Sequence, residues 1–418
     1  MMDNILFLSL SDFNSLDERN IYTDLLREFK KNGHKICAIS PVERRKNEKT
    51  YIINEEGCKI LKLKIGNIQK TNAIEKGINT LAIEFQFIKG IKKYFSDERF
   101  DLILYATPPV TFCKSIEYVK NRDDARSYLM LKDIFPQNAV DIGMMNKTGI
   151  KSLLYRYFRK KERRLYRISD WIGCMSPANK EYILKHNPEV NQRHTESMNA
   201  NGKGIIEVCP NSVDPIDMSM TDDERTEIRE KYNLPLDKTI FVYGGNLGKP
   251  QGIDFMLKCF HLQRDNKKIF FLIIGNGTEY EKIERYIEKY NPKNIALHQW
   301  LPQDDYNKVV AACDVGMIFL DHRFTIPNFP SRLLSYMQAK IPVLAVTDPN
   351  TDIGKVITAD GFGWWCESND LEDCMSTITL LPGLELMRYG RKAFESLNRN
   401  YNVKNSYQII TKWCGKRK

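Results

Sequence analysis

The 418-residue chain has no apolar run close to the ~20 residues that a membrane-spanning helix needs, which excludes a bilayer-crossing segment. Paired cysteines are also missing. The ten cysteines are scattered without a C-x-x-C, and Cys37, Cys174 and Cys313 lie in apolar runs, where a free thiol behaves as a small core residue. The six histidines form no H-x-x-H or H-E-x-x-H pair, so a histidine-based zinc site has no support. The N-terminal stretch lacks a basic leader, and its short apolar run reads as a first strand, not a signal peptide. Together these features predict a reducing, cytoplasmic setting. With 42% hydrophobic and 28% charged residues and no low-complexity tract, the composition excludes a disordered, collagen-like or coiled-coil chain.

What is present is an alternation of short apolar runs with helix-period segments. Asn4–Leu10, Lys35–Ile39 and Asp101–Ala106 read as strands, and Asn20–Asn32 reads as an amphipathic helix stopped at Gly33. After a polar stretch near residue 212 the alternation restarts, with strands at Thr239–Tyr243, Ile269–Ile274, Ile295–Gln299, Val315–Leu320 and Val343–Val346. Strands separated by helices imply parallel, doubly wound sheets. The pattern predicts two α/β domains, 1–211 and 212–389, and a helical stretch over 390–418 that packs back on the first. Two such sheets facing one another would take a ligand between them, outside the carboxyl ends of their strands.

The strongest local signal is Val242-Tyr-Gly-Gly-Asn-Leu-Gly-Lys-Pro-Gln-Gly-Ile253. A strand runs into Gly244, Gly245, Gly248 and Gly252, and a helical pattern follows. Glycines admit a ligand close to the backbone, and the next helix offers free N–H groups, a combination suited to a diphosphate. Gly275-Asn276-Gly277 follows the next strand in the same way, with a plain tight turn as the equal alternative. In Pro327–Val343, Ser331 is a candidate N-cap, and Arg332 begins a helix running to about Ala339, where it could offer a forked cation to phosphate oxygens.

The order of the 212 linker, G-G-N-x-G-x-x-Q-G, G-N-G, Trp300-Leu301-Pro302, A-A-C-D and P-S-R-x-x-x-Y-M-x-A-x-x-P-V resembles retaining glycosyltransferases of family 4, with the fold called GT-B. It is closest to the bacterial branch that builds O-antigens, capsules and exopolysaccharides. The resemblance implies two Rossmann-like domains with parallel sheets and a nucleoside-diphosphate sugar bound by the second. Gly244, Gly245, Asn246 and Gln251 would approach the diphosphate and sugar. Gly275, Asn276, Gly277, Trp300 and Leu301 would lie along the nucleotide, and Ser331, Leu333 and Ser335 would complete the pocket. Lys249 and Arg332 would stabilise the leaving charge. Many relatives carry a Glu-x7-Glu pair where this chain has Pro327 and Ser335, and Arg and Lys where Asn246 and Gln251 stand.

In the first domain, Leu131-Lys-Asp-Ile-Phe-Pro136 resembles the R-D-x-[WF]-P element found near the acceptor in this branch. Asp133 would orient the acceptor hydroxyl or stabilise positive charge on the sugar, unless it only caps the turn before Pro136. Ser11, Asp12 and Asn14 on the first βα loop are further acceptor-side candidates. No Asp-x-Asp occurs, which favours catalysis without a metal or other cofactor, through fixed cations and dipoles. Residues 149–167 hold eight Lys or Arg and one Glu among interleaved apolar residues, the pattern of a helix that lies on an anionic membrane, with a solvated structural helix as the alternative. No nucleic-acid-binding fold is recognisable. The expected activity is transfer of a hexose-type sugar to a lipid-linked saccharide at the inner face of the plasma membrane. A non-catalytic scaffold and a sugar-nucleotide epimerase on the same fold are the alternatives.

Overall fold

The computed structural model describes residues 3–68, 73–149 and 152–412. The chain divides into two compact units. The first runs to Asp214 and takes in the segment from Val403 onward, and the second is Pro215–Asn402.

In the first unit, β1 (Asn4–Leu8), β2 (Lys35–Glu43), β3 (Tyr51–Glu55), β4 (Cys58–Ile65), β5 (Leu102–Ala106), β6 (Arg126–Leu131), β7 (Trp171–Cys174) and β8 (Ile206–Val208) form one sheet. Its order is β3-β4-β2-β1-β5-β6-β7-β8. The uninterrupted apolar runs of β1 and β5 are buried on both faces, as strands sandwiched between helix layers must be. One strand departs from the expected all-parallel sheet: β3 pairs antiparallel with β4, and Glu56-Gly57 makes a two-residue turn between Glu55 and Cys58.

In the second unit, β9 (Thr239–Gly244), β10 (Ile269–Ile274), β11 (Ile295–His298), β12 (Val315–Phe319), β13 (Val343–Thr347) and β14 (Gly363–Glu367) form a fully parallel sheet in the order β11-β10-β9-β12-β13-β14. Phe241 and Tyr243, Phe271 and Ile273, and Met317 and Phe319 alternate onto one buried face. The strand order reverses between β9 and β12. These two strands pair only at Phe241–Val315 and Val242–Gly316, so they part before the carboxyl end of β9. A reversal of this kind opens the crevice in which α/β sheets bind ligands.

The expected C-terminal return is half right. Helix Leu386–Asn400 stays with the second unit, and only Val403–Thr411 joins the first. There Tyr407 packs edge-on to Phe29, with ring centroids 4.9 Å apart, and shares a 3.1 Å hydrogen bond with His34 Nε2. Trp413, part of the same expectation, lies outside the described residues. No helix among the described residues is long and apolar enough to cross a membrane.

Candidate functional site

The crevice end of β9 is built around Tyr336, on helix Arg332–Gln338, which follows β12. Its phenol accepts the Gly244 N–H at 3.1 Å and donates to the Met317 carbonyl at 3.0 Å, bridging the two strands where their own pairing has stopped. Gly316 makes room for it, since a Cβ there would overlap the Tyr336 ring. Gly244 is constrained in the same way by the Tyr306 phenol.

Beyond Gly244 the chain turns at Gly245, whose φ of +130° is ordinary only for glycine. A Cβ at Gly245 would stand 3.2 Å from Nη2 of Arg332, so the guanidinium lies directly against the exposed turn. Arg332 also stacks on the Tyr243 ring, 4.4 Å from its centroid. Its Nη1 is buried without a hydrogen bond, and no ion pair with a carboxylate is found for it among the described residues. Burial pushes Tyr306 up to about 12 and raises Tyr243 as well, so neither ring carries a charge that would neutralise the guanidinium. A half-buried cation with no counter-ion among the described residues, set against a side-chain-free turn, is chemically a receptor for an anion.

The rest of the loop is held from within. Gln251 Oε1 accepts from Asn246 Nδ2 and from the Gly248 N–H, each at 3.0 Å, so these two residues, expected to contact a donor, shape the turn with those groups. The second glycine turn backs the first: Gly245 N–H donates to Ile274 O and Leu247 N–H to Asn276 O, both at 2.9 Å. A Cβ on Gly275 would overlap the Gly245 carbonyl oxygen, and one on Gly277 the Leu247 carbonyl oxygen. These glycines are therefore required by loop-on-loop packing. Asn276 is exposed, and its Oδ1 accepts the Gly277 N–H.

The expected Ser331 cap and Leu333 side-chain contact need correction. Ser331 is exposed in a helical conformation and makes no side-chain cap. Leu333 is fully buried and its N–H donates to Pro330 O, so it offers a ligand no side-chain surface. Trp300 is 74% exposed, which leaves its ring unsupported. Lys249 is exposed on the loop without an ion pair among the described residues, while Leu301 and Ser335 are half-buried. The segment before Arg332 is fixed by Asp348: its Oδ2 accepts from Thr351 Oγ1, which accepts the Asn328 N–H at 3.1 Å.

In the first unit, Asp133 follows β6. Asn138 Nδ2 donates to both of its carboxylate oxygens, at 2.7 and 2.8 Å. Burial pushes this carboxyl up to about 6 against those bonds and the Ile134 N–H. Its neighbour Lys132, which sequence reasoning passed over, donates to Asn211 Oδ1 and lies 4.9 Å from the Tyr22 ring centroid. Burial brings this ammonium down to about 8. The K-D dipeptide at a strand end was the available signal.

The first βα loop is otherwise engaged. Asp12 pairs with Lys46 and with the fully buried Lys62, each at 2.5 Å. Burial alone would raise the Asp12 pKa, but hydrogen bonds from the two lysines outweigh it and hold the carboxyl below its usual range. Asp12 is thus the counter-ion of a core lysine, a structural duty that competes with the expected acceptor role. Asn14 is exposed and bonded through its N–H and Nδ2 to Glu18, and the Ser11 N–H donates to Ser9 Oγ. No group of three His, Cys, Asp or Glu among the described residues could hold a metal ion.

Known proteins agree with this architecture. Residues 224–385 match the family model described as Glycosyl transferases group 1. The chain is 25% identical over 335 residues to the probable glycosyltransferase WbjE of Pseudomonas aeruginosa, covering 80% of this chain and 78% of that protein. It is 22% identical over 182 residues, 43% of each chain, to the putative colanic acid biosynthesis glycosyl transferase WcaI of Escherichia coli K12. Among solved structures, Anabaena HepE in complex with UDP superposes with a TM-score of 0.63 at 12% identity, covering 99% of both chains. The chain thus has the GT-B fold of two Rossmann-like units, and residues 224–385 of the second unit carry the similarity to glycosyl transferases group 1.

Proposed function

We propose that the protein is a retaining, metal-independent glycosyltransferase of family 4. It moves a hexose-type sugar from a nucleoside diphosphate to a lipid-linked saccharide during synthesis of a bacterial surface polysaccharide. It works in the cytoplasm, peripherally at the inner face of the plasma membrane. The observation that carries this reading is Arg332, a half-buried guanidinium with no acidic partner among the described residues, pressed against the exposed Gly245 turn. The resemblance to WbjE and to WcaI, whose name specifies colanic acid biosynthesis, supports a role in polysaccharide assembly.

In this mechanism the donor diphosphate sits on the Gly244–Gly248 backbone, and Arg332 and Lys249 meet the charge that develops as the bond from the anomeric carbon to the phosphate oxygen breaks. The acceptor hydroxyl bonds to that carbon on the face the diphosphate leaves, and its proton passes to the departing phosphate oxygen. Asp133 orients the acceptor hydroxyl. A thermal-shift screen of nucleoside-diphosphate sugars tests the assignment. One donor is expected to raise the Tm of the wild-type protein and not that of Arg332→Met. Failure of every donor to shift the wild type overturns the reading in favour of a scaffold.

A further inference from the structure

The first unit carries an exposed apolar stripe that extends the 149–167 segment onto a helix the sequence pattern did not single out. On helix Ala73–Tyr94, Ile78, Leu81 and Phe85 recur at helical spacing on one face, and Ile78 and Phe85 are 63% and 62% exposed. On helix Ser152–Ile168, Leu153, Leu154 and Tyr157 are exposed as well, Leu153 by 66%. Isolated exposed apolar residues need no explanation, but a contiguous cluster does.

The two sets belong to one surface. Lys161 Nζ binds Glu84, the neighbour of Phe85, at 2.8 Å and lies 5.9 Å from the Tyr157 ring centroid. Lys114, from helix Cys113–Asp123, covers Phe85 at 4.6 Å. The charges divide by direction. Lys161 and Arg164 pair with Glu84 and Glu117 on neighbouring helices, and Arg159 pairs with Glu162 of its own helix and donates to Asn187 Oδ1, so three of the cations expected to meet a membrane are turned inward instead. Arg156, Lys160 and Arg163 have no ion pair among the described residues, and Lys89 continues the stripe past Phe85.

We propose that this two-helix face docks on an anionic lipid bilayer, with Ile78, Leu81, Phe85, Leu153, Leu154 and Tyr157 entering the headgroup–acyl boundary and the unpaired cations meeting lipid phosphates. The occupant is chosen by charge: an apolar patch rimmed by unpaired cations fits an anionic surface with an apolar interior. The proposal rests on the lipid-linked acceptor of the preceding section, but the surface is tested without any turnover.

The test is flotation of the full chain with phosphatidylcholine–phosphatidylglycerol vesicles and with phosphatidylcholine vesicles alone. Binding is expected only with the anionic mixture. The triple variant Ile78→Ser, Leu81→Ser, Phe85→Ser and the triple variant Arg156→Gln, Lys160→Gln, Arg163→Gln should each lose it by roughly tenfold or more, with unchanged circular dichroism. The proposal is overturned by wild-type protein that stays unbound, by a stripe variant that floats like wild type, or by these residues mediating self-association with no vesicle binding. Donor-dependent thermal shift in a protein that ignores vesicles would sink this inference alone. Vesicle binding without any donor shift would leave it standing and sink the assigned activity.

Discussion

Arg332 lies 4.4 Å from the centroid of the Tyr243 ring, so the cation on the helix after β12 is supported by the strand whose glycine turn it underlies. The ring fixes the guanidinium without neutralising it, as a carboxylate would. Substitution by Met should lower affinity for the nucleoside-diphosphate donor by about tenfold to a hundredfold, the equivalent of losing one charged hydrogen-bonding group. Thermal stability of the free protein should hold or rise, because a half-buried cation without an acid is being removed. Calorimetry and melting curves on one preparation check both halves. Arg332→Lys should restore charge but not the forked geometry, and so recover only part of the affinity.

Tyr336 closes the gap between β9 and β12 with one oxygen. Tyr336→Phe leaves the buried Gly244 N–H and Met317 carbonyl without that partner, and should cost about 1–3 kcal/mol of stability in a denaturant titration. Gly316→Ala should damage more, because its Cβ displaces the whole ring. Donor binding should weaken in both variants, although neither residue is exposed to a ligand.

Asp12→Ala tests whether that residue serves a substrate or the core. Removing it leaves the fully buried Lys62 with only the Phe13 carbonyl and Ser40 hydroxyl as partners. A loss of about 2 kcal/mol is expected, on the low side because Asp12 keeps about a third of its exposure. Since its carboxyl is held below the usual range, that contribution is present above about pH 4 and fades as pH falls through the lowered value, so wild type and variant should converge in acid.

Asp133 has the opposite sign. Its pKa of about 6 lies above that of an unfolded Asp, so folding is favoured while the carboxyl is protonated and loses that contribution as pH rises through 6. Asp133→Asn should therefore gain in Tm relative to wild type as pH rises from about 4 to about 6, and keep that gain above it. Transfer should slow in the same variant with donor affinity unchanged, and the acidic limb of the wild-type rate near pH 6 should disappear.

Most of the strands legible in the chain were those buried on both faces, the edge strand β11 being an exception. β1, β5, β9, β10, β12 and β13 are continuous apolar runs that end within a residue or two of the expected positions. The β3–β4 hairpin was not legible, because Tyr51–Glu55 is an edge strand with a polar end and Lys62 interrupts the apolar pattern of β4 while being buried against Asp12. Within the site, the glycines and Arg332 stood out by residue type. Tyr336 did not: it reads as an ordinary apolar helix position, and its bond to Gly244 spans 92 residues of chain. The bond between Asn246 and Gln251 was not legible, because polar side chains near a glycine turn look the same whether they face a ligand or each other.

Helix Val403–Thr411 supplies Val403 and Ile410 to the core of the first unit, Ser406 bonds to Ser212, and the Val403 N–H pairs with Val213 O. Val403, Ser406 and Ile410 all follow the second unit in the chain. A ribosome therefore finishes Pro215–Asn402 before it releases the piece that seals residues up to Asp214, and the later unit can mature while the earlier one waits with an unfilled gap beside Phe29 and His34. A released chain truncated after Asn402 should show a protease-resistant second half and a still-cleavable first half.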